Sequence, residues 1–550
     1  MEQYQLPYNC PEKGKQLKPD INGISIPILK PAVYFDEYTL SLQHRKNMPM
    51  KLKEILLLII LLMTAGAYAQ KNSIIRLEQG NDLKYDKMLG ASTYRVVGNV
   101  IFEHQGAFLY CDSAIMDEKT NNVICFGHVR IKSSDTLNLY GDLLNYNGDT
   151  KIADITGKIV KLVDNETTLT TDHLYFDRNT NIARYETEGK IRNKDNRLTS
   201  KKGYYHTDKK EFFFKDKVVL TNPEYVMNSD TLMYNTVSRT AFFYGPSTIK
   251  GKKNFIYCEN GWYDTKYEVS KFSRNAYLIN ENQTLKGDSL YYDRSNGIGK
   301  AFRNVSIIDT VQNIVFKGNL GDYFEKTGYA VLTDSAYAIM IEKKDSLFLH
   351  ADTLKATFDT ARVTKELFAF YHVKFFRNDL QGMCDSLAYI VKDSTLALFN
   401  SPILWSGKNQ LTADTIRIFV KDKKINELRL YNTSFIVSKD TLTNFNQIKG
   451  KNMIGYFRDN QIYKVNVSGN SETLYWVRED DKSLIGISKM ISSDMVIGIK
   501  ENKVDKINYI SKPKGALYPE KDLTSHDLLL KDFKWLDDKR PYTRLDIFKK

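Results

Sequence analysis

Apolar and polar residues alternate along most of this chain, in short runs that recur. Leu144 and Tyr146, Leu174 and Phe176, Leu232 and Tyr234, Leu290 and Tyr292, Leu387 and Tyr389, and Ile416 and Ile418 each stand two and four places after an Asp. A period of two belongs to a half-buried strand, with one face apolar and the other in water. The 35 Tyr and 28 Phe agree, since rings pack well on a pleated surface. Polar turns follow, such as Asp177-Arg178-Asn179-Thr180-Asn181 and Asp293-Arg294-Ser295-Asn296-Gly297, which have hairpin-loop chemistry. The chain then returns as a second strand, Ile182-Ala183-Arg184-Tyr185 or Gly299-Lys300-Ala301-Phe302.

About fifteen residues after the Asp comes a second signature. It reads Gly98-Asn99-Val100, Gly127-His128-Val129, Gly157-Lys158-Ile159, Gly189-Lys190-Ile191, Asn304-Val305 and His372-Val373. Glycine inside a strand marks a bend or a bulge. Each repeat therefore predicts one hairpin of two long strands, each bent near its middle. From Asp112 to Asp142 to Asp172 the step is 30, and from Glu259 to Asp288 it is 29. Weaker copies stand at Lys202, Asn319 and Asp352. A fixed period of this size means units that bury their apolar faces only by stacking on one another. The expected fold is all-β: an elongated meander of about a dozen ~30-residue units over 70–500. It is creased lengthwise into a V, with the alternate apolar residues inside.

The Gly-Asp-x-Leu-x-Tyr strand of Gly287–Tyr292, the Asx-rich turn and the returning Gly-Asn-Val strand resemble the OstA-like (organic-solvent-tolerance) family. That family includes the periplasmic bridge protein of lipopolysaccharide transport. The resemblance covers roughly residues 75 to 500. It implies that the V-shaped meander is a twisted, semi-open β-jellyroll whose groove carries lipid acyl chains, with the twelve paired residues named above as the groove lining. It also implies neighbours, the jellyroll domains of other envelope proteins, joined by edge-strand pairing.

Residues 50–69 have the three parts of a secretory signal peptide: basic Lys51 and Lys53, an apolar run from Ile55 to Met63, and Ala67-Tyr68-Ala69. A nine-residue apolar run is too short to span a bilayer. Cleavage after Ala69 would release a periplasmic chain beginning at Gln70. Residues 1–49 carry neither repeat nor targeting pattern, and we read them as an extension from a misassigned start, with Met48 or Met50 as the true one. A real cytosolic tail is the alternative.

The chain carries 79 basic and 66 acidic residues, hence +13, of which +11 remains after residue 69. A basic surplus attracts anionic partners. For an exported chain lipopolysaccharide or another anionic glycolipid fits better than nucleic acid, which is not expected as a partner. The plainer reading is a lysine-rich surface that deters edge-to-edge aggregation. Cys111, Cys258 and Cys384 share one repeat position, too far apart for a disulfide. Cys125 lies on the returning strand of its own hairpin, out of register with Cys111. All are expected as free thiols.

No HExxH, GxSxG, phosphate-loop or CxxC pattern is present. No catalytic residue, metal ligand or cofactor is therefore expected, and the protein is read as no enzyme. His128 and His372 occupy equivalent positions and are read as groove-rim or turn residues. Past about residue 500 the repeat fades. The segment 501–550 is expected to cap the last strand or dock on a partner, with a short helix over 524–537. Two functional readings stand: a lipid-conducting bridge with an open groove, and a structural or adhesive β-repeat scaffold whose Tyr and Phe fill the crease.

Overall fold

The structure is a computed structural model that describes residues 73–549 apart from 86–87, 89, 343–344, 361–362, 423, 442, 460, 480 and 501–502. The extension 1–49 and the leader 50–69 lie outside the described residues. What is described is one antiparallel sheet of 36 strands. Chain neighbours are sheet neighbours: Thr93–His104 pairs with Ala107–Asp117, that with Asn122–Lys132, and that with Leu137–Asn147. The pattern continues to Leu484–Lys500, whose two halves pair with Lys503–Ile510 and Lys514–Tyr518. The sheet thus runs on to Tyr518.

The crease is a ladder of bulges carried by the returning strands. Register jumps between Val97 and Val100, between Phe126 and Val129, and between Phe302 and Val305. At each jump two residues take left-handed backbone: Gly98 and Asn99 (φ 87 and 47), Gly127 and His128 (74 and 42), Arg303 and Asn304 (54 and 51). Such a pair turns the strand through the corner and keeps its alternate residues facing inward on both sides. At Gly127, with φ 74, any Cβ would lie 2.3 Å from Asp112 Oδ2, so a larger residue there would be strained and would have to displace that carboxylate.

The recurrent acid braces this corner from the outside. His128 Nδ1 donates to Asp112 Oδ2 at 2.7 Å, and the Lys158 amide to Asp142 Oδ2 at 2.8 Å. Asn304 Nδ2 donates to Asp288 Oδ1 at 3.1 Å, and His372 Nδ1 to Asp352 Oδ2 at 2.8 Å. His128 and His372 therefore sit at the crease and not at the groove rim. The donor is a side chain at His128, Asn304 and His372 and the backbone amide at Lys158.

Two wings rise from the crease. Turns at 104–107, 133–136, 164–167 and 251–254 edge the first wing, and turns at 117–122, 177–182, 207–210 and 293–298 edge the second. The second-wing turns are linked in series by backbone hydrogen bonds, including Arg178 N to Lys151 O, Thr236 N to Lys210 O, Thr265 N to Arg239 O and Arg294 N to Glu268 O. The main core lies between the wings.

The helix expected over 524–537 does not form. The segment instead runs as an extended strap with short 3-10 turns at Glu520–Asp522, Asp537–Lys539 and Asp546–Phe548. It follows one lateral row of outward-facing residues, in which Gln381, Trp405, Gln410, Val437, Gln447 and Leu474 are successive cross-strand neighbours. Gln447 donates to Leu528 O and accepts from Leu530 N, both at 2.8 Å. Gln410 does the same with Lys534 O and Leu536 N, again at 2.8 Å. Arg540 Nε closes the row on Gln381 Oε1 at 2.9 Å. The buried glutamines satisfy backbone groups that a helix would have paired internally, and Phe533 and Trp535 pack on Phe445. Leu474, Trp476 and Ile487 form with the strap a second apolar cluster, separate from the main core.

Candidate functional site: the interior of the crease

Inward residues form columns that run along the stack, one member per repeat. On the second wing the column just below the rim is Tyr146, Phe176, Tyr205, Tyr234, Tyr263 and Tyr292. On the first wing it is Ile131, Leu162, Ile191, Leu220, Ile249, Leu278 and Ile307. Strand pairing carries each column from one repeat to the next, as in Leu232 opposite Phe214 and Phe243.

Exposure divides these columns in two. Tyr146, Phe176 and Tyr205 are 2% exposed or less, and Ile131, Leu162, Ile191 and Leu220 are all buried. From Tyr225 to Ile307 the rim side chains are half-buried: Tyr234, Tyr263 and Tyr292 on one wing, Ile249, Leu278 and Ile307 on the other. Nearer the crease Leu232, Leu290, Val305 and Ala301 stay buried throughout. The interior is therefore a filled core over about residues 73–220 and a trough with a closed floor from Tyr225 to about Leu367; past it the same column positions are buried again, at Phe375 and Leu404 on the first wing and at Ile418, Val465 and Ile497 on the second.

Polar groups lace the mouth of the filled part. Arg178, in a second-wing turn, donates to His104 O at 2.9 Å and Gln105 O at 3.1 Å on the first wing, and to Tyr146 Oη at 3.0 Å. His104 Nδ1 lies 2.7 Å from the same phenol, and Asn121 Nδ2 donates to Ser73 O at 3.1 Å. Burial depresses the His104 imidazole below its ordinary pKa, and the Arg178 charge adds to this, so the ring is neutral. One repeat further, Lys210 on the second wing pairs at 2.6 Å with Asp164 on the first, a carboxylate only 1% exposed. Burial alone would raise the Asp164 carboxyl, but hydrogen bonds from Lys210 and Tyr205 outweigh it and hold the group below the usual range. Burial and that carboxylate push the Tyr205 phenol well up. In the trough the equivalent phenols bond along their own wing, as Tyr292 Oη does to Glu325 Oε2 at 2.7 Å.

All twelve residues expected to line a groove face the interior, but they do not form one environment. Leu144, Tyr146, Leu174 and Phe176 are sealed in the filled part. Leu232, Leu290 and Leu387 lie on the floor with Tyr234, Tyr292 and Tyr389 half-buried above them, while Ile416 and Ile418 are both buried, Ile418 at the column place that Tyr292 holds in the trough. Sequence reading missed Arg178, His104, Asp164 and Lys210. Their only signal is a charge or imidazole beside a turn, which surface turns carry everywhere.

Cys111, Cys125, Cys258 and Cys384 are free and buried. Cys125 stands opposite Ala114, out of register with Cys111 as expected, and its thiol nonetheless meets that of Cys111 in a hydrogen bond. Folding the sheet about the crease brings inward side chains from the two halves together. That contact and burial push the Cys125 thiol well up, and burial lifts Cys258 to about 11 and Cys384 to about 12.

Among solved structures, the chain is similar to LptH from Pseudomonas aeruginosa, the LptA-homologous periplasmic component of its lipopolysaccharide transport device. The likeness is 17% identity over 20% of this chain and 82% of that one, with a TM-score of 0.19. A comparison with curated proteins gave no significant match. The family profile described as OstA-like protein matches residues 72–230 and again 231–352, together just over half of the chain. The repeated acid, the bulged crease and the inward columns are thus those of a member of the OstA-like family, to which this chain belongs.

Proposed function

We propose that this chain is a periplasmic lipid-binding bridge, exported by a cleavable leader, that carries lipopolysaccharide or a related glycolipid toward the outer membrane. It is read as no enzyme; its work is to keep acyl chains out of water. Each methylene buried is worth about 0.8 kcal/mol, so a twelve-carbon chain left in water costs on the order of 10 kcal/mol. A uniform apolar trough keeps that cost low at every position along it. The observation that carries this reading is the change from buried Phe176 and Tyr205 to half-exposed Tyr234, Tyr263 and Tyr292 within one column. Half-buried rings over a closed apolar floor offer a surface for acyl chains, and the floor residues Leu232, Leu290 and Leu387 complete it. The free edge strands are read as the places where jellyroll domains of neighbours pair.

The scaffold reading describes the filled part, where rings and aliphatic side chains leave no room for a guest. We infer that this part is a structural base to the trough. A photo-crosslinker at Leu290 or Tyr292 should capture glycolipid in envelopes, whereas one at Ser289 or Tyr291, on the opposite face, should capture little. Equal capture at both parities would mean a sticky surface, and capture at neither would leave the scaffold alone standing.

A further inference from the structure

The turns of the second wing carry a cation in repeat after repeat. In the filled part these are Arg178 and Lys210, and both reach across the mouth to acceptors on the first wing. In the trough the turns continue with Arg239, Lys266 and Arg294, all exposed. Arg294 follows Asp293 as Arg178 follows Asp177, so the two arginines hold the same place in the same kind of turn. Their surroundings differ. Arg294 has only Glu268 of its own rim, at 3.6 Å and with both side chains about half exposed. Lys266 lies over the Tyr267 ring at 4.7 Å, and Arg239 makes no side-chain hydrogen bond or ion pair among the described residues. The neighbouring carboxylates are already engaged: Asp264 accepts the Lys266 and Tyr267 amides, and Asp293 accepts the Asn296 amide and the Ser295 hydroxyl.

We propose that Arg239, Lys266 and Arg294 form an anion-binding rim that holds the phosphate or carboxylate headgroup of an amphiphile whose chains lie in the trough. The backbone ladder that joins their turns sets them in line, about 10 Å apart at two strand spacings per repeat. That spacing matches a headgroup bearing more than one negative charge. Arg239, Lys266 and Arg294 lie in the turns that directly follow the half-buried column tyrosines Tyr234, Tyr263 and Tyr292, so the polar and apolar parts of one guest are met at adjacent heights. Guanidinium groups suit the task because they bind oxyanions with two parallel hydrogen bonds. Where the first wing supplies an internal acceptor, the same turn position locks the mouth; where it does not, the guest supplies one.

This rests on the acyl-chain reading above, and the test separates the two. The full chain is titrated at low salt with dodecyl phosphate, dodecyl maltoside and inorganic phosphate, beside the variant R239Q/K266Q/R294Q. Dodecyl phosphate should bind about tenfold tighter than dodecyl maltoside to the natural chain. The variant should lose that preference while its affinity for the maltoside stays unchanged. Inorganic phosphate up to about 10 mM should not bind detectably, since a surface anion contact alone is weak. A preference that survives in the variant overturns the rim assignment and leaves the trough intact, as does an equal loss for both amphiphiles. Inorganic phosphate binding as tightly as dodecyl phosphate would make this a free-phosphate site. If neither amphiphile binds the natural chain, the trough fails and takes the rim with it.

Discussion

Arg178 donates to the backbone carbonyl of His104 across the mouth of the crease at 2.9 Å, from 74 residues away in the chain. The same guanidinium holds Tyr146, whose phenol touches the His104 ring. One side chain therefore ties both wings together where the interior is filled.

Arg178→Ala should destabilise the filled part by about 2–3 kcal/mol, the range for losing charge-assisted hydrogen bonds to buried acceptors. Arg294→Ala, at the same turn position but in solvent, should change stability by less than about 0.5 kcal/mol. Urea unfolding of the two variants checks this, and amide exchange should place the Arg178 effect at 104–107 and 146–150.

Acid should loosen the same lock. His104 has a folded pKa below its ordinary 6.5, so below that value the unfolded chain binds a proton that the folded one refuses. Stability then falls as pH drops from 6.5 toward the lowered folded pKa. His128 has the opposite sign: its Asp112 hydrogen bond raises its pKa, so its small contribution is present in acid and lost as pH rises through that raised value. Stability measured between pH 4 and 8 should fall on the acid side, and His104→Gln should flatten that fall. An unchanged profile in the variant would remove His104 from the account.

Removing the strut at one corner should act locally. Asp142→Ala deletes the acceptor of the Lys158 amide and should cost about 1 kcal/mol, with faster exchange confined to the flanking hairpins. Loss of protection over the whole sheet would contradict a stack held by neighbour contacts.

The thiols of Cys111, Cys125, Cys258 and Cys384 should be silent to iodoacetamide in the folded chain at pH 7.5. They are buried, and burial holds Cys258 near 11 and Cys384 near 12, where little thiolate exists at neutral pH. All four should react on denaturation without reductant.

Truncation after Tyr518 should uncover Trp405 and Trp476, which the strap covers on the outer face. Their emission should shift to the red and become quenchable by acrylamide. Gln447→Ala should have a milder effect of about 1–2 kcal/mol, since it leaves the Leu528 carbonyl and the Leu530 amide without their partner.

The repeat, the strands and the parity of their side chains are legible in the order of residues alone. Strand periodicity and turn chemistry are local, so Leu290 and Tyr292 could be set on one face and Ser289 and Tyr291 on the other from spacing alone. The bend at Gly127-His128 was legible for the same reason, as a glycine inside an alternating run. Sequence also gave the OstA-like resemblance, because a dozen weak copies in register add to a strong signal.

What only the tertiary structure decided was the state of the interior and the path of the C-terminal segment. Phe176 and Tyr263 have equivalent places in the repeat, yet one is sealed and the other half-exposed. The difference is set by groups from distant turns, Arg178 on His104 and Lys210 on Asp164, which close the mouth in one part of the stack. The apolar residues of 524–537 fit a helix on spacing alone, and they became a strap because two outward glutamines on separate strands, Gln447 and Gln410, supply partners for its backbone and Gln381 holds the Arg540 side chain. Both outcomes depend on contacts between residues 46 to 159 positions apart, where a local pattern carries no information.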